Sequence, residues 1–363
     1  MPRADAAPAL PEQPVGVPWP LPEWPCAPPE TGGQALADAV RELFDPAREA
    51  ELGRQHALVV VQGGRIVAER YGPESGPDVP HISWSMAKSI LHAAVGIAVA
   101  RGLLDPEAPA PVPEWSTPGD PRAAITLEHL LRMSSGLRFA EDYVDPESSD
   151  VIQMLFGRGR DDVAGFAAAM PLAHPPGTVW SYSSGTSNLV ARILGAAVGG
   201  PDACRRLLQE ELFGPLGMRS AEARFDAAGT FIGSSFVFAT ARDFARFGLL
   251  YLRGGRFGPR RVLPRSWVDH ARTPTPGSAG RYGAHFWLET DDLGTFCASG
   301  FRGQRIAVVP GLDLVLVRLG DTPTEQAPAL LAALSRVVRA CGAPPDWPGL
   351  RPTDDVSSPP ATG

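Results

Sequence analysis

The chain has 363 residues, of which 44% are hydrophobic and 20% are charged, and its formal net charge is −7. This is the composition of a globular protein with a sizeable core. Lysine and arginine form no block, which excludes nucleic acid and anionic membrane surfaces as favoured partners. The four cysteines lie far apart and lack metal-ligand spacing, so we expect free thiols, no metal and no cofactor.

Both ends of the chain are rich in proline. Residues 1–33 carry Trp19 and Trp24 among the prolines, which predicts a flexible tail or an extended arm anchored by the tryptophans. Residues 343–363 are expected to be a disordered tail, which leaves 34–342 as the folded domain. The N-terminus has no apolar signal region and no apolar stretch is long enough to span a bilayer. We therefore expect a cytoplasmic protein without membrane contact, the alternative being a mature form that has lost its signal.

The two ends of the folded domain have the patterns of an antiparallel sheet. Residues 35–44 have helical spacing, and two short apolar runs then flank Gly63 and Gly64, which predicts a β-hairpin. Near the other end, three further strands and a closing helix are predicted, at 294–299, 304–309, 312–319 and 324–340.

The middle of the chain, about 82–285, is mostly helical in pattern. The predicted fold class is therefore α+β: an antiparallel sheet built from both chain ends, flanked by helices, with an inserted, mainly helical region. A cleft between the sheet and the insertion is the natural place for a site.

Lys88 is the only lysine among the 33 basic Lys and Arg residues of the chain. Arginine serves at every other position where a positive charge is wanted, and arginine cannot be deprotonated under working conditions. A buried lysine can lose its proton. The single lysine therefore points to a site that needs an amine able to accept and return a proton.

Ser85 stands three residues before Lys88, and positions i and i+3 share one face of a helix. The helix is predicted to begin at this point, so its dipole favours a neutral amine and an activated hydroxyl. The alternative is that Ser85 only caps the helix. Tyr182, on a polar turn at 176–185, could complete a proton relay with the lysine, or could be a packed tyrosine with a satisfied hydroxyl.

These residues resemble a known superfamily. The segment Ser85-Met86-Ala87-Lys88-Ser89, followed by a Pro-Gly turn and Tyr182-Ser-Ser-Gly, is similar to the serine β-lactamase-like superfamily, and more closely to class C-type esterases and 6-aminohexanoate-dimer hydrolases. Further matching stretches occur in the same order, at 126–137, 212–218, 298–300, 303–304 and Pro310. The resemblance runs from about 34 to 340 and implies the same fold as the one predicted from the patterns.

The resemblance also implies roles for residues. Ser85 would be the acyl-forming nucleophile, and Lys88 and Tyr182 would share the role of general base and proton shuttle. The oxyanion would be held by the Ser85 N–H and by the strand through Ser299 and Gly300, with Phe301 as the second donor. On the loop 139–150, Tyr143 would contact the substrate, the alternative being a solvated acidic loop with one packed tyrosine.

Two motifs depart from the β-lactamase pattern. The Tyr-x-Asn motif is Tyr182-Ser183-Ser184 here, and the Lys-Thr-Gly motif is Ala298-Ser299-Gly300, without a positive charge. Arg302 or Arg305 could replace that charge, unless strand alternation turns them away. The departures favour a hydrolase of small carboxylic esters or linear amides.

Three other functions remain as alternatives or are disfavoured. A β-lactamase or penicillin-recognising enzyme and a non-catalytic scaffold of the same fold stay open. A Ser-His-Asp hydrolase is disfavoured because the chain has no G-x-S-x-G elbow, and His92 is interpreted as a satisfied core residue, while His174 and His285 have no evident partner. The predicted partner is a small molecule, and the sequence leaves the oligomeric state open.

Overall fold

The structure is a computed structural model that describes residues 8–27, 33–143 and 145–353. Over these residues the strands are β1 (Arg54–Gln62), β2 (Arg65–Tyr71), β3 (His81–Ile82), β4 (Glu222–Ala223), β5 (Val237–Ala239), β6 (Arg256–Phe257), β7 (Arg260–Arg261), β8 (Trp287–Leu288), β9 (Phe296–Gly300), β10 (Gln304–Val309) and β11 (Leu314–Asp321).

The helices of the described residues are α1 (Gly33–Leu43), α2 (Glu49–Leu52), α3 (Met86–Ala100), α4 (Leu127–Leu131), α5 (Asp150–Phe156), α6 (Val163–Ala168), α7 (Ser184–Ala197), α8 (Pro201–Arg206), α9 (Gly214–Leu216), α10 (Ala241–Leu252), α11 (Arg265–Arg272) and α12 (Ala327–Ala340). A π-helical turn at Leu207–Phe213 joins α8 to α9.

Six of these strands form the main sheet, in the order β2-β1-β11-β10-β9-β8. Every neighbouring pair is antiparallel, and the pairing of β1 with β11 joins the two ends of the chain. The β1–β2 hairpin turns at Gly63 and Gly64, whose φ angles of +57° and +75° are strained for other residues. The predicted sheet is confirmed, and β8, with only two residues, was too short to have a sequence pattern.

Both faces of the main sheet are covered. On β1, Val59 and Val61 face the cluster that contains α3, α7 and α10, while Leu58 and Val60 face α1 and α12. A strand that is buried on both faces has an unbroken apolar run rather than an alternating pattern, as the segment 57–61 does. The α+β fold with flanking helices is therefore confirmed.

The insertion between β3 and β8 is mainly helical, as predicted, but it also contains strands. β3, β5 and β4 form a small sheet, and β6 pairs with β7. Each of these strands has only two or three residues, which is too short to produce a readable alternation. None of the described helices is both long and apolar enough to cross a membrane.

Residues 8–27 lie extended along the body of the protein. The Trp24 side chain is 6% exposed, and its indole N–H donates to the Arg242 carbonyl at 3.1 Å. Arg246 donates to the carbonyls of Pro20 and Pro22, at 3.1 and 2.9 Å. The described part of the N-terminal region is thus an anchored arm, the second of the two predicted possibilities.

The chain also stays packed beyond the predicted domain end at 342. Trp347 and Leu350 are buried, and the Trp347 indole N–H donates to Asp291 at 2.6 Å. The expectation of disorder from residue 343 is therefore wrong for residues 343–353, because two large apolar side chains hold this segment against α12. The rest of the predicted tail, 354–363, lies outside the described residues.

The Trp24→Ala variant tests the anchoring role of the arm. We expect a loss of about 3 kcal/mol in the free energy of unfolding, because the substitution removes a buried indole and its hydrogen bond. Urea unfolding followed by circular dichroism measures it. Val15→Ala is the control, because Val15 is 104% exposed on the same arm and its truncation should change stability by less than about 0.5 kcal/mol. Equal stability of the two variants would contradict the anchor.

Candidate active site

A strained turn precedes α3 and presents Ser85. Trp84 has a φ of +45°, a conformation that is costly for a bulky residue. Ser83 holds this turn in place, because its N–H donates to the Val237 carbonyl at 2.8 Å and its hydroxyl accepts from the Val237 N–H at 3.1 Å. The helix proper begins at Met86, so Ser85 occupies the N-cap position rather than the first turn.

The side chain of Ser85 does not cap the helix. Its hydroxyl instead lies 3.0 Å from the amine of Lys88, as the i, i+3 spacing predicted. The capping alternative is therefore wrong for the side chain. The turn places the hydroxyl beside the lysine.

Lys88 is buried, at 1% exposure, and its Nζ has three oxygen partners. These are the Ser85 hydroxyl at 3.0 Å, the Ser184 hydroxyl at 2.9 Å and the Ser234 carbonyl at 3.0 Å. Burial lowers the pKa of the Lys88 amine to about 8, and the charge of Glu141 opposes that shift. Lys88 therefore loses its proton much more readily than an ordinary lysine, and about a tenth of it is neutral one pH unit below this pKa.

The partners of Lys88 determine where its hydrogens and its lone pair point. The Ser234 carbonyl can only accept, so it takes one N–H. Ser184 donates its hydroxyl hydrogen to the Glu141 carboxylate at 2.6 Å, and its oxygen accepts a second N–H. A neutral amine has two N–H groups and one lone pair, so the lone pair faces Ser85, the third partner. Neutral Lys88 is arranged to take a proton from Ser85.

Glu141, Ser184 and Ser234 are site residues that the sequence reasoning missed. Glu141 accepts from the backbone N–H and the hydroxyl of Ser184, both at 2.6 Å, and from the Tyr143 hydroxyl at 3.0 Å. Ser184 occupies the position of the family's asparagine, and that substitution was read only as a loss. The sequence therefore contained a signal for Ser184, namely its position in the motif. Glu141 lies in an irregular loop, and no sequence pattern marked it.

Tyr182 lies beside the lysine, as expected. Its ring centroid is 4.9 Å from the Lys88 Nζ, and the ring packs against Tyr282 and Trp287 with centroid separations of 5.9 and 5.3 Å. The proximity to Lys88 is what a proton relay requires, and the ring packing is what a packed tyrosine requires, so the geometry agrees with both interpretations of Tyr182. Its part in proton transfer stays a prediction.

The end of β9 lies directly against the Ser85 turn. A Cβ at Gly300 would stand 2.3 Å from the Ser83 carbonyl oxygen and 3.2 Å from the Trp84 Cβ, so only glycine allows this approach. Ser299 precedes it on β9 and Phe301 follows the strand. The end of β9 is thus brought against the turn that carries Ser85, and the role of Ser299, Gly300 and Phe301 in holding an oxyanion stays a prediction.

The Gly300→Ala variant tests this close approach. The added methyl group has to push β9 away from the Ser83 carbonyl, so any catalytic activity that depends on an oxyanion donor from this strand is expected to fall by about 10²-fold. Steady-state kinetics with p-nitrophenyl acetate measures it. Gly195→Ala is the control, because a Cβ at that helical position meets no atom within 4 Å. Full activity of the Gly300 variant would contradict the predicted contact.

The two candidate replacements for the missing positive charge have other partners. Arg305 is buried and its guanidinium pairs with Glu289 at 3.2 Å. Arg302 pairs with Asp321 at 3.3 Å. The suggestion that either arginine supplies a free cation for a substrate carboxylate is therefore not favoured by the geometry.

The histidines near the site have structural partners. His92 is fully buried, and its two ring nitrogens contact the Tyr251 hydroxyl at 2.8 Å and His270 at 3.1 Å, which confirms the interpretation of His92 as a satisfied core residue. His285, which had no evident partner in the sequence, contacts the Lys88 carbonyl at 2.9 Å and Ser187 at 3.3 Å. It ties the loop before β8 to the first turn of α3.

The two-sided antiparallel sheet, the helical insertion and the serine–lysine pair between them define a member of the serine β-lactamase-like superfamily. The family model described as Beta-lactamase matches residues 40–338, and the chain belongs to that family. The resemblance inferred from the motifs is thereby confirmed.

Two of the similar proteins are described as 6-aminohexanoate-dimer hydrolases. The chain is 27% identical over 289 residues to 6-aminohexanoate-dimer hydrolase from Paenarthrobacter ureafaciens, covering 74% of this chain and 72% of the relative. It is similar in structure to a Bacillus anthracis protein assigned as a 6-aminohexanoate-dimer hydrolase, with a TM-score of 0.70, 23% identity and coverage of 81% and 80% of the two chains. A family VIII carboxylesterase has a TM-score of 0.62 at 16% identity, over 86% of this chain and 98% of the other. These structural likenesses concern the fold.

Proposed function

We propose that the protein is a serine hydrolase that acts through an acyl-enzyme on small carboxylic esters or linear amides. The observation that carries this proposal is the arrangement at Lys88. Two of its three partners, Ser184 and Ser234, occupy the two N–H groups of the neutral amine, so the lone pair is left for the Ser85 hydroxyl. Nucleophilic catalysis by a serine requires a general base within hydrogen-bond distance of its hydroxyl.

The reaction has two halves. Ser85 Oγ attacks the substrate carbonyl carbon while its proton passes to Lys88 Nζ, and the resulting oxyanion takes hydrogen bonds from the N–H groups of Ser85 and Phe301. Lys88, with Tyr182 as proton shuttle, then protonates the departing alcohol or amine as its bond to carbon breaks. Water repeats the sequence on the acyl-enzyme: Lys88 takes its proton, and the acid leaves as Ser85 regains its own.

The polar lining of the site favours an ester or linear amide over a β-lactam. A β-lactam needs a cation for its carboxylate, whereas Arg302 and Arg305 pair with Asp321 and Glu289. Tyr143 is proposed to contact the substrate, and its stacking on Phe301 at a centroid distance of 4.7 Å supports this role. The similarity to a 6-aminohexanoate-dimer hydrolase supports amide substrates, and the likeness in fold to a carboxylesterase is compatible with esters.

Labelling with a fluorophosphonate tests the nucleophile. The wild type should be labelled at Ser85 and Ser85→Ala should not, and p-nitrophenyl acetate hydrolysis should fall with the labelling. Ser89→Ala is the matched control, because Ser89 lies one helical turn further and donates to the His285 carbonyl. Equal labelling of wild type and Ser85→Ala would disprove the assignment.

A substrate panel separates the remaining functions. Turnover of p-nitrophenyl esters or linear amides supports the proposal. Rapid nitrocefin hydrolysis would instead support a β-lactamase, and labelling of Ser85 without turnover of any substrate would support a scaffold of the same fold.

A further inference from the structure

Five aromatic side chains form a continuous surface beside Ser85, which we call the aromatic wall: Trp84, Tyr143, Phe156, Phe236 and Phe301. Trp84 is at its centre, with ring centroid separations of 5.6 Å to Phe301, 6.0 Å to Phe236 and 6.5 Å to Phe156. Tyr143 extends the wall by stacking on Phe301 at 4.7 Å and 18°. The rings come from four separate segments of the chain, so the fold assembles the wall.

The wall is open to solvent, unlike the rings of the core. Phe156 is 53% exposed and Tyr143 is 37% exposed, and they are the two aromatic residues among the large exposed apolar side chains of the described region. Exposed aromatic surface of this extent loses the free energy that burial would provide. A contiguous apolar patch on a soluble protein is typical of a binding surface.

The wall is continuous with the proposed catalytic machinery. Trp84 immediately precedes Ser85 in the chain, and the backbone N–H of Phe301 is the proposed second oxyanion donor. Phe236 stands two residues after Ser234, whose carbonyl contacts Lys88. A carbonyl held between Ser85 and Phe301 therefore has the wall at its side.

The positions of the proton donors determine which part of the substrate meets the wall. The leaving group must take its proton from the side where Lys88, Ser184 and Tyr182 gather. The remaining substituent of the tetrahedral carbon, the acyl chain, then points away from these polar groups and towards the rings.

Two charged side chains beside the wall, Arg302 and Glu141, have polar partners. Arg302, whose guanidinium carbon lies 5.5 Å from the Phe301 ring, pairs with Asp321, and Glu141 accepts hydrogen bonds from Ser184 and Tyr143. Arg302, the cation in contact with the Phe301 ring, is therefore engaged by Asp321 rather than left for the carboxylate of an acyl chain.

We propose that the aromatic wall is the acyl-chain subsite and that it binds a neutral, apolar acyl group, an alkyl chain of medium length or an aryl group. This inference rests on the proposed hydrolase function. It predicts a preference for esters of longer neutral acids over acetate, with about a threefold gain in kcat/KM for each methylene that contacts the rings.

The experiment compares p-nitrophenyl acetate, butyrate and hexanoate in the wild type and in Phe156→Ala. We expect the wild type to prefer the hexanoate at least tenfold, and the variant to lose most of this preference, with a smaller fall in acetate hydrolysis. Leu103→Ala is the control, because Leu103 is a 44% exposed apolar residue outside the wall, and it should keep the wild-type profile.

Other outcomes would overturn the proposal. These are a wild-type rate that is independent of acyl length, an equal fall for acetate and hexanoate in Phe156→Ala, and a length preference that follows the alcohol part in a series of alkyl acetates. If the wild type hydrolysed neither esters nor linear amides, the proposed function would fail, and calorimetric binding of hexanamide would still decide this inference. Binding that is lost in Phe156→Ala supports the subsite, and no binding to the wild type overturns it.

Discussion

Replacement of Lys88 by arginine is expected to reduce p-nitrophenyl acetate hydrolysis nearly as much as replacement by alanine, by about 10³-fold. The reason is that the site requires an amine with a free lone pair, and a guanidinium keeps its protons under these conditions. Lys88 is also buried among Ser85, Ser184 and Ser234, whose spacing suits one nitrogen and not a planar fork of donors. Positive charge alone would therefore restore nothing.

The arginine variant needs a control for folding. Lys88→Met keeps an unbranched stem of similar length in the buried position and removes the amine, so its thermal unfolding separates lost chemistry from lost structure. All three variants should be equally inactive in steady-state assays. An arginine variant that keeps more than a tenth of the wild-type kcat/KM would refute the role of Lys88 as a base.

The sheet could be predicted because its strands are long and buried. The predicted strand 304–309 has the observed bounds of β10, since this run is flanked by Gly303 and by the turn at Pro310. The short strands β4 to β8 could not be predicted, because two or three residues contain no period. The packed segment 343–353 was missed because proline-rich composition suggested disorder, whereas Trp347 and Leu350 contribute buried apolar area.

The candidate site was predictable where residues share one helix turn. Ser85 and Lys88 lie three positions apart, so helix geometry alone brings them together. Ser184, Ser234 and Glu141 come from distant segments of the insertion, and their meeting depends on how these segments pack around α3. Serine and glutamate are common surface residues, so residue type gave no signal for Ser234 and Glu141, and only the motif position of Ser184 marked it. Tertiary placement decides which of them acts.

Glu141 links the exposed loop to the buried amine through electrostatics. Its carboxylate accepts hydrogen bonds from the backbone N–H and from the hydroxyl of Ser184, and thereby orients the Ser184 oxygen towards Lys88. Its negative charge also raises the pKa of Lys88, against the larger lowering by burial. The loop therefore sets both the direction of the hydrogen bonds at the amine and the pH at which the amine becomes a base.

The kcat/KM for p-nitrophenyl acetate is expected to rise with pH through the Lys88 pKa of about 8, because only the neutral amine can accept the Ser85 proton. Glu141→Gln removes a charge that favours protonated Lys88, so the pKa of Lys88 falls and the rising limb moves to lower pH. The plateau also falls, because glutamine has one acceptor oxygen where the carboxylate used two, and one of the two hydrogen bonds from Ser184 is lost. Glu147→Gln removes the same charge from an exposed position of the loop and should leave the profile in place. If the rising limb of the kcat/KM profile stays at the same pH or moves to higher pH in Glu141→Gln, the electrostatic coupling between Glu141 and Lys88 is contradicted.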